Sequence, residues 1–162
     1  MTKAVQARIR KVSRNDIDRI IDIERSWHHL SHWSVDSYYR LINEDSFTSS
    51  FVAEIDDPAG RHRIVGFVIF HLTGDISEIY NIAVEAAHAR CGIGRQLMSA
   101  AIAASRQKRV SRVLLEVRKS NSAAINFYLG FNFKISGERK NYYSNPPEDA
   151  YVMEHLVEPN SH

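Results

Sequence analysis

The feature that most constrains this chain is a short apolar run, followed six residues later by a glycine-containing turn at the start of a helix. The run is residues 80–84 (Tyr-Asn-Ile-Ala-Val) and the turn is residues 91–95 (Cys-Gly-Ile-Gly-Arg). Beyond the turn, apolar residues recur at helical spacing as far as Ala104, with polar residues on the opposite face. We therefore expect a strand, a glycine turn and a helix in this order.

A glycine turn at the start of a helix is suited to binding an anion. Glycine lets a ligand approach the backbone, and the first N–H groups of a helix are unpaired and lie at the positive end of its dipole. Arg90 and Arg95 flank the turn and add positive charge. The pattern predicts a pyrophosphate site here, although Gly92 and Gly94 are also consistent with close helix packing alone.

Two familiar phosphate motifs do not match the turn. The third glycine of a dinucleotide-binding G-x-G-x-x-G would fall at Leu97, and the preceding strand is the fourth in the chain rather than the first. A Walker loop would end in Gly-Lys-Ser or Gly-Lys-Thr, which is not found here. Neither a Rossmann site nor a nucleotide phosphate loop is therefore predicted.

The order of apolar runs and turns along the chain predicts a mixed α/β sheet in one domain, with a core at about residues 8–157 and frayed ends. Asn15 or Asp16, Ser34 and Ser122 are each predicted to cap a helix, and a further helix is expected to begin at Gly92. The turn-rich residues 56–60 suit an antiparallel hairpin. Strands are predicted at residues 8–12, 47–55, 63–72, 76–84, 113–117, 133–136 and 150–156.

Charge and composition exclude several classes of protein. Lys and Arg total 21 against 19 Asp and Glu, a balance that predicts neither a nucleic-acid partner nor a membrane surface. The longest apolar stretches are far shorter than the ~20 residues of a membrane span, and the first residues have no apolar signal core. The single cysteine, Cys91, excludes an internal disulfide. We expect a cytoplasmic protein.

Four further motifs follow the glycine turn along the chain. They are Leu-Glu-Val-Arg at residues 115–118, Ser-Asn-Ser-Ala-Ala-Ile at 120–125, Phe-Tyr at 127–128 and Arg-Lys-Asn-Tyr-Tyr at 139–143. Together with the turn, their order and spacing resemble the GNAT superfamily of acyl-CoA-dependent N-acetyltransferases, and within it the RimI-like ribosomal-protein-alanine acetyltransferases. This resemblance implies the GNAT fold, a single mixed, mostly antiparallel sheet of six to seven strands flanked by about four helices.

The resemblance also implies acetyl-CoA as co-substrate and assigns residues to it. The family's pantetheine strand corresponds to Ile82, Ala83 and Val84, its pyrophosphate turn to Arg90, Cys91, Gly92, Ile93, Gly94 and Arg95, and its cofactor-contacting asparagine to Asn121. Two positions depart from the family pattern. Ala89 replaces a Gln or Arg, so some loss of affinity is expected, and Asn132 replaces a helix-ending glycine whose left-handed conformation asparagine tolerates.

The same resemblance makes Glu116 the general base and Tyr128 the general acid. Acyl transfer to an amine needs a neutral amine, a polarised carbonyl and a proton for the departing thiolate. Glu116 lies in an otherwise apolar strand, where burial would raise its pKa and it would act through a water. The alternatives are a solvated strand end or a partner of Arg118 for Glu116, and a core aromatic for Tyr128.

Where the family has its substrate loop, this chain carries aromatic and imidazole side chains, namely Trp27, His28, His29, His32 and Trp33. We expect them to form a mobile rim over the acceptor amine, opposite Tyr142 and Tyr143. The predicted substrate-binding residues are Trp33, Tyr142 and Tyr143. Three histidines within five residues can bind zinc, but no carboxylate or cysteine stands at a regular ligand spacing, so no metal is predicted.

The sequence as a whole predicts an enzyme that transfers acetyl from acetyl-CoA to a protein α-amine by direct attack. The family's acceptor is the N-terminal alanine of a ribosomal protein. Alternatives are a broader N-terminal acetyltransferase, an acetyltransferase for lysine or a small amine, and an acyl-CoA-binding module without turnover. No activating base accompanies Cys91, so an acyl-enzyme on that residue is not expected.

Overall fold

The computed structural model describes residues 3–27 and 33–159, and in these ranges the chain forms seven strands and four α-helices. No helix in these ranges is both long enough and apolar enough to cross a membrane. The elements are β1 (Arg8–Lys11), α1 (Ile17–Arg25), α2 (Val35–Asn43), β2 (Thr48–Asp56), β3 (His62–Thr73), β4 (Ile76–Val84), α3 (Ile93–Gln107), β5 (Arg112–Arg118), α4 (Ser122–Leu129), β6 (Lys134–Ser144) and β7 (Pro147–Leu156).

All seven strands belong to one sheet, in the order β1-β2-β3-β4-β5-β7-β6. The pairs β1–β2, β2–β3, β5–β7 and β6–β7 are antiparallel. Strands β4 and β5 are parallel, with Ile76, Ser77 and Glu78 opposite Arg112, Val113 and Leu114. The mixed, mostly antiparallel sheet that the resemblance implied is therefore confirmed, and β4 has the predicted bounds.

Several element boundaries differ from the sequence prediction, and two of the differences have a clear physical reason. Strand β6 runs from Lys134 to Ser144, whereas the prediction ended it at residue 136, because this strand is almost wholly exposed and lacks apolar alternation. The helix α4 is capped by Asn121 rather than Ser122, since the Asn121 side chain accepts a hydrogen bond from the N–H of Ala124 at 3.1 Å.

By its internal contacts the chain divides into two units. The first comprises residues 1–71 and 80–104, which include β1, β2, most of β3, α1, α2, the second half of β4 and most of α3. Helix α1 is amphipathic, and its buried face joins the central residues of β2 and β3 in one core. That core contains Ile17, Ile20, Ile21, Ile23, Tyr38, Val52, Phe67, Ile69 and Ala83.

The second unit comprises residues 72–79 and 105–162, which include β5 to β7, α4, the first half of β4 and the end of α3. Alternate residues of β5 are buried, as expected for a strand that packs one face on a core. Leu115, Phe133 and Met153 are at most 2% exposed. The parallel pairing with β5 involves only the first half of β4. That half and Glu116 both belong to this unit.

Candidate active site

The predicted pyrophosphate turn lies in the first unit. Arg90 and Gly92 both have left-handed backbones, with φ of 60° and 84°, so the glycine at 92 meets a conformational need. Arg90 and Arg95 are exposed, and Gly92 and Gly94 are half-buried. Ile93 and Cys91 are buried, and the Cys91 Sγ lies 3.6 Å from the Ala89 carbonyl oxygen.

The residues that precede β1 form hydrogen bonds with this turn and with the first part of α3. The Val5 N–H donates to the Cys91 carbonyl at 2.9 Å. The Gln96 side-chain amide donates to the Val5 carbonyl at 2.7 Å and accepts from the Ala7 N–H at 3.0 Å, as a neighbouring strand would. Ala7 is buried. The hydrogen-bonded chain therefore begins at Val5, and the expectation of a frayed segment up to Arg8 is wrong for these residues.

The predicted pantetheine strand is the end of β4, where Ala83 is buried and Ile82 and Val84 are half-buried. The indole N–H of Trp27 donates to the Val84 carbonyl at 2.9 Å. The α-carbon of Gly66 on β3 comes so close that a Cβ there would lie 3.1 Å from the Ala83 carbonyl oxygen. Within the first unit, the end of β4 is thus contacted by the Trp27 side chain and by the backbone of β3.

The two tryptophans of the predicted rim are anchored rather than loose. Both pack against the core of the first unit. The Trp33 ring lies 5.2 Å from the Tyr38 ring and 5.9 Å from the Tyr80 ring. Tyr38 in turn donates to the buried Glu24 and accepts from the Asn81 amide at 3.1 Å. His28, His29 and His32 lie outside the described residues.

Glu116, the predicted base, lies on β5 in the second unit, opposite Val152 of β7. Its side chain is 25% exposed, and its Oε1 accepts a hydrogen bond from the Arg139 Nε at 3.1 Å. This half-buried ion pair differs from the apolar environment that the strand pattern suggested. Its partner is Arg139 and not the Arg118 of the alternative interpretation, because Arg118 is bound elsewhere.

Tyr142 lies in a bulge of β6, and Tyr143 directly follows it. Arg139 lies opposite Ala150 and Tyr143 lies opposite Glu148, so three residues of β6 face one of β7. Asn141 in the bulge has φ of 50°, and its N–H donates to the Asp149 carboxylate at 2.8 Å. The bulge breaks the alternation of the strand, and the two neighbouring tyrosine rings meet edge to face at 5.0 Å.

Tyr128, the predicted acid, is buried near the end of α4. The left-handed Asn132, with φ of 62°, ends the helix as the sequence predicts. The Phe133 N–H donates to the Tyr128 carbonyl at 3.2 Å and the Asn132 N–H to the Leu129 carbonyl at 3.0 Å. These two bonds form a Schellman motif, and the Tyr128 and Phe133 rings supply its apolar contact at 5.8 Å.

Electrostatics link these side chains within the second unit. Burial, with a smaller effect of Tyr143, raises the pKa of Tyr128 well above its ordinary value. Burial and Tyr142 raise the pKa of Tyr143 to about 12. Burial and the charge of Glu116 raise the pKa of Tyr142. All three phenols are therefore protonated at neutral pH, and the Tyr128 hydroxyl carries the proton that a general acid would donate.

The predicted residues are divided between the two units. The glycine turn, residues 82–84 and Trp33 lie in the first unit, and Asn121, Glu116, Tyr128, Tyr142 and Tyr143 lie in the second. The Asn121 side chain uses its oxygen to cap α4, and its amide nitrogen carries the donors for a ligand. Across residues 3–27 and 33–159, no three His, Cys, Asp or Glu side chains are grouped to hold a metal.

The sequence analysis did not predict the contacts that three side chains near these residues make: Gln96, Arg118 and Arg139. Each acts on a segment at least 20 residues away in sequence, so no local spacing reveals it. The available signal was weak. Arg118 directly follows the apolar residues of β5, and alternation alone would place it on the face opposite Val113, Leu115 and Val117.

Comparison with known proteins gives a consistent picture. Residues 15–131 match the model of the acetyltransferase (GNAT) family. A candidate ribosomal protein bS18-alanine N-acetyltransferase of Bacillus subtilis (strain 168) is 32% identical over 148 residues, which are 91% of this chain and 94% of that protein. The ribosomal protein bS18-alanine N-acetyltransferase of Haemophilus influenzae is 30% identical over 148 residues, covering 90% of this chain and 95% of that protein.

A solved structure shows the same fold. The crystal structure of the ribosomal-protein-S18-alanine N-acetyltransferase from Escherichia coli superposes with a TM-score of 0.81 at 26% identity. The superposition covers 97% of each chain. The order of strands and helices described above is thus that of a solved N-acetyltransferase.

Proposed function

The chain belongs to the GNAT family of acetyl-CoA-dependent acetyltransferases, and we propose that it acetylates the N-terminal α-amine of a protein. The acceptor that the relatives favour is a ribosomal protein with an N-terminal alanine. Two of those relatives carry this activity in their names and align over nine-tenths of the chain or more. The proposed acceptor therefore rests on similarity along the whole chain rather than on one motif.

The proposed donor site uses the glycine turn of the first unit. Its N–H groups at the start of α3, with the Arg90 and Arg95 guanidinium groups, suit a pyrophosphate. The backbone of residues 82–84 would pair with the amide groups of the pantetheine arm, and the Asn121 amide would donate to the same molecule. Acetyl-CoA supplies the thioester and its leaving thiol.

The proposed chemistry uses Glu116 and Tyr128. Glu116 removes one proton from the acceptor ammonium through a water, and the neutral nitrogen then attacks the acetyl carbonyl carbon. A backbone N–H of β4 stabilises the negative charge that develops on the carbonyl oxygen. As the C–S bond breaks, Tyr128 donates its hydroxyl proton to the sulfur, which leaves as the CoA thiol. The nitrogen loses its second proton to the Tyr128 phenolate through a water, and the products are the acetylated amide and free CoA.

The observation that carries the catalytic proposal is the set of contacts around Glu116. Its carboxylate is half-buried, is held by Arg139 at 3.1 Å, and influences the pKa of both Tyr142 and Tyr143. Tyr143 in turn influences the pKa of Tyr128. A partly exposed base and a buried proton donor therefore lie in the same unit, and acyl transfer to an amine uses one of each.

A peptide assay tests the acceptor. We expect a peptide that begins with alanine and contains an internal lysine to be acetylated at its free N-terminus, with matching thiol release. Deprotonating lysine at neutral pH costs about 3.4 kcal/mol more than deprotonating an α-amine, so the lysine stays free. The same peptide with a blocked N-terminus is the control. Acetyl on the lysine of the blocked peptide, or transfer to a polyamine alone, would overturn the proposed acceptor.

Substitutions test the two catalytic roles. Glu116→Gln and Tyr128→Phe should each lower turnover by about 100-fold or more, with acetyl-CoA affinity unchanged. Matched controls in the same unit are Glu154→Gln, whose carboxylate lies 3.6 Å from Arg112, and Tyr151→Phe, whose ring lies under Lys119. Near-normal turnover of both test variants would refute the roles and leave the family assignment intact.

A further inference from the structure

Arg118 is a buried arginine with no part in the chemistry proposed above. Its side chain is 9% exposed, although it lies only two residues beyond Glu116 on β5. Burying a guanidinium is costly unless its donors are satisfied. An arginine at this place therefore needs partners, and the structure shows four of them.

Those partners all lie in the strands and turn that carry the predicted acceptor residues. The Arg118 Nη1 donates to the Pro146 carbonyl at 3.0 Å, and its Nη2 donates to the Asn145 carbonyl at 3.2 Å. The same Nη1 lies 3.4 Å from the Glu148 carboxylate. The face of the guanidinium covers the Tyr143 ring at 4.2 Å.

Glu148 extends this connection to the start of α4. Its carboxylate accepts from the Ser120 N–H at 2.7 Å and from the Ser120 hydroxyl at 2.9 Å. Ser120 directly precedes Asn121, which caps the helix that carries Tyr128. One guanidinium thus joins β5, the turn between β6 and β7, and, through Glu148, the segment that begins α4.

We propose that Arg118 is a positioning residue for the acceptor, which fixes Tyr143 and the turn at residues 145–148 in the conformation that binds the acceptor's N-terminus. The proposal rests on the proposed function, since it assigns Tyr143 to the acceptor. Lysine does not replace arginine in this role, because its point charge lacks the planar fork that donates to two carbonyls while its face covers a ring.

This positioning role predicts different effects on the binding of the acceptor and of acetyl-CoA. Among the direct contacts of Arg118, Tyr143 is a predicted acceptor residue and none is a predicted CoA residue. Loss of its contacts should therefore weaken acceptor binding and leave donor binding as it was. An arginine that only stabilised the fold would affect both substrates together, through the fraction of folded enzyme.

The experiment compares Arg118→Lys with Arg112→Gln, a control on the same strand whose side chain is 41% exposed. Steady-state kinetics with the alanine peptide should show the acceptor KM of Arg118→Lys raised by about tenfold or more, with kcat changed by less than about threefold. The acetyl-CoA dissociation constant, measured by calorimetry, should match that of the wild type. Arg112→Gln should behave as the wild type for both substrates.

A second variant keeps the test decisive if Arg118→Lys folds poorly. Tyr143→Leu removes the ring that the guanidinium covers, and it should raise the acceptor KM by a similar factor. Where both single variants fold, the acceptor KM of the double variant should be no higher than that of the more affected single variant, because the two residues act together. An unchanged acceptor KM in Tyr143→Leu, or equal losses for both substrates, overturns the proposal. A wild type that acetylates no peptide overturns the proposed function itself, and this inference with it.

Discussion

Replacing Gly66 by alanine would place a methyl group against the strand assigned to the pantetheine arm. The new Cβ would lie 3.0 Å from the Leu97 Cδ1, 3.1 Å from the Ala83 carbonyl oxygen and 3.3 Å from the Val84 Cγ2. Leu97 is fully buried, and the Ala83 oxygen belongs to the backbone of β4. The methyl group can therefore be accommodated only if β4 or α3 moves.

The expected cost follows from these contacts. Overpacking of this kind costs about 1–3 kcal/mol, and the reduced freedom of the unfolded chain returns about 0.4–1 kcal/mol. The net loss of about 1–2 kcal/mol corresponds to a fall in Tm of about 2–8 °C for a chain of this length. Acetyl-CoA affinity should also decrease, because the atoms that must move belong to Ala83 and Val84.

Thermal unfolding and acetyl-CoA titration measure the two effects, with Gly137→Ala as the control. A Cβ at Gly137 meets no atom within 4 Å, and its backbone is not left-handed. That variant should be as stable as the wild type or slightly more stable, with the same acetyl-CoA affinity. If Gly66→Ala unfolds at or above the temperature of Gly137→Ala, the packing argument is refuted.

Two further predictions concern stability. Asn132→Ala should lower Tm by about 2–4 °C and Asn132→Gly should leave it nearly unchanged, because only alanine is strained at a left-handed helix end; equal Tm values would contradict the Schellman assignment. Burial raises the pKa of Asp16, but hydrogen bonds from Arg10 and Ser13 outweigh it and hold that pKa below the usual 3.8. The stability from ionised Asp16 is therefore complete above that pH and is lost as the pH falls through the lowered value, so urea unfolding of Asp16→Asn should depend less on pH below about 4.

Much of the fold was predictable because the apolar pattern is strong where strands are buried. The strand β4 has the predicted bounds, and helix α2 begins directly after the predicted cap, Ser34. The left-handed conformation of Asn132 was also predictable, since asparagine is one of the few residues that tolerates it. For these features, residues close together in sequence were sufficient for the prediction.

The remaining features depend on residues that are distant in sequence. The strand β6 buries little surface, so its length is fixed by pairing with β7 and leaves no apolar pattern. The partner of Glu116 is Arg139, 23 positions away, and not the nearby Arg118. No periodicity reports such a pairing, because it depends on which strands lie side by side.

The bulge in β6 also limits how the sheet can grow. β6 lies at one edge of the sheet. A long exposed edge strand is a template on which another chain can add a strand. Here the backbone loses register before Gly137 and again between Arg139 and Tyr143, and the exposed Lys134 and Lys140 add charge along the strand. An incoming strand would find only short stretches in register. The irregularity that turns two tyrosines toward each other therefore also guards the protein against aggregation through this edge.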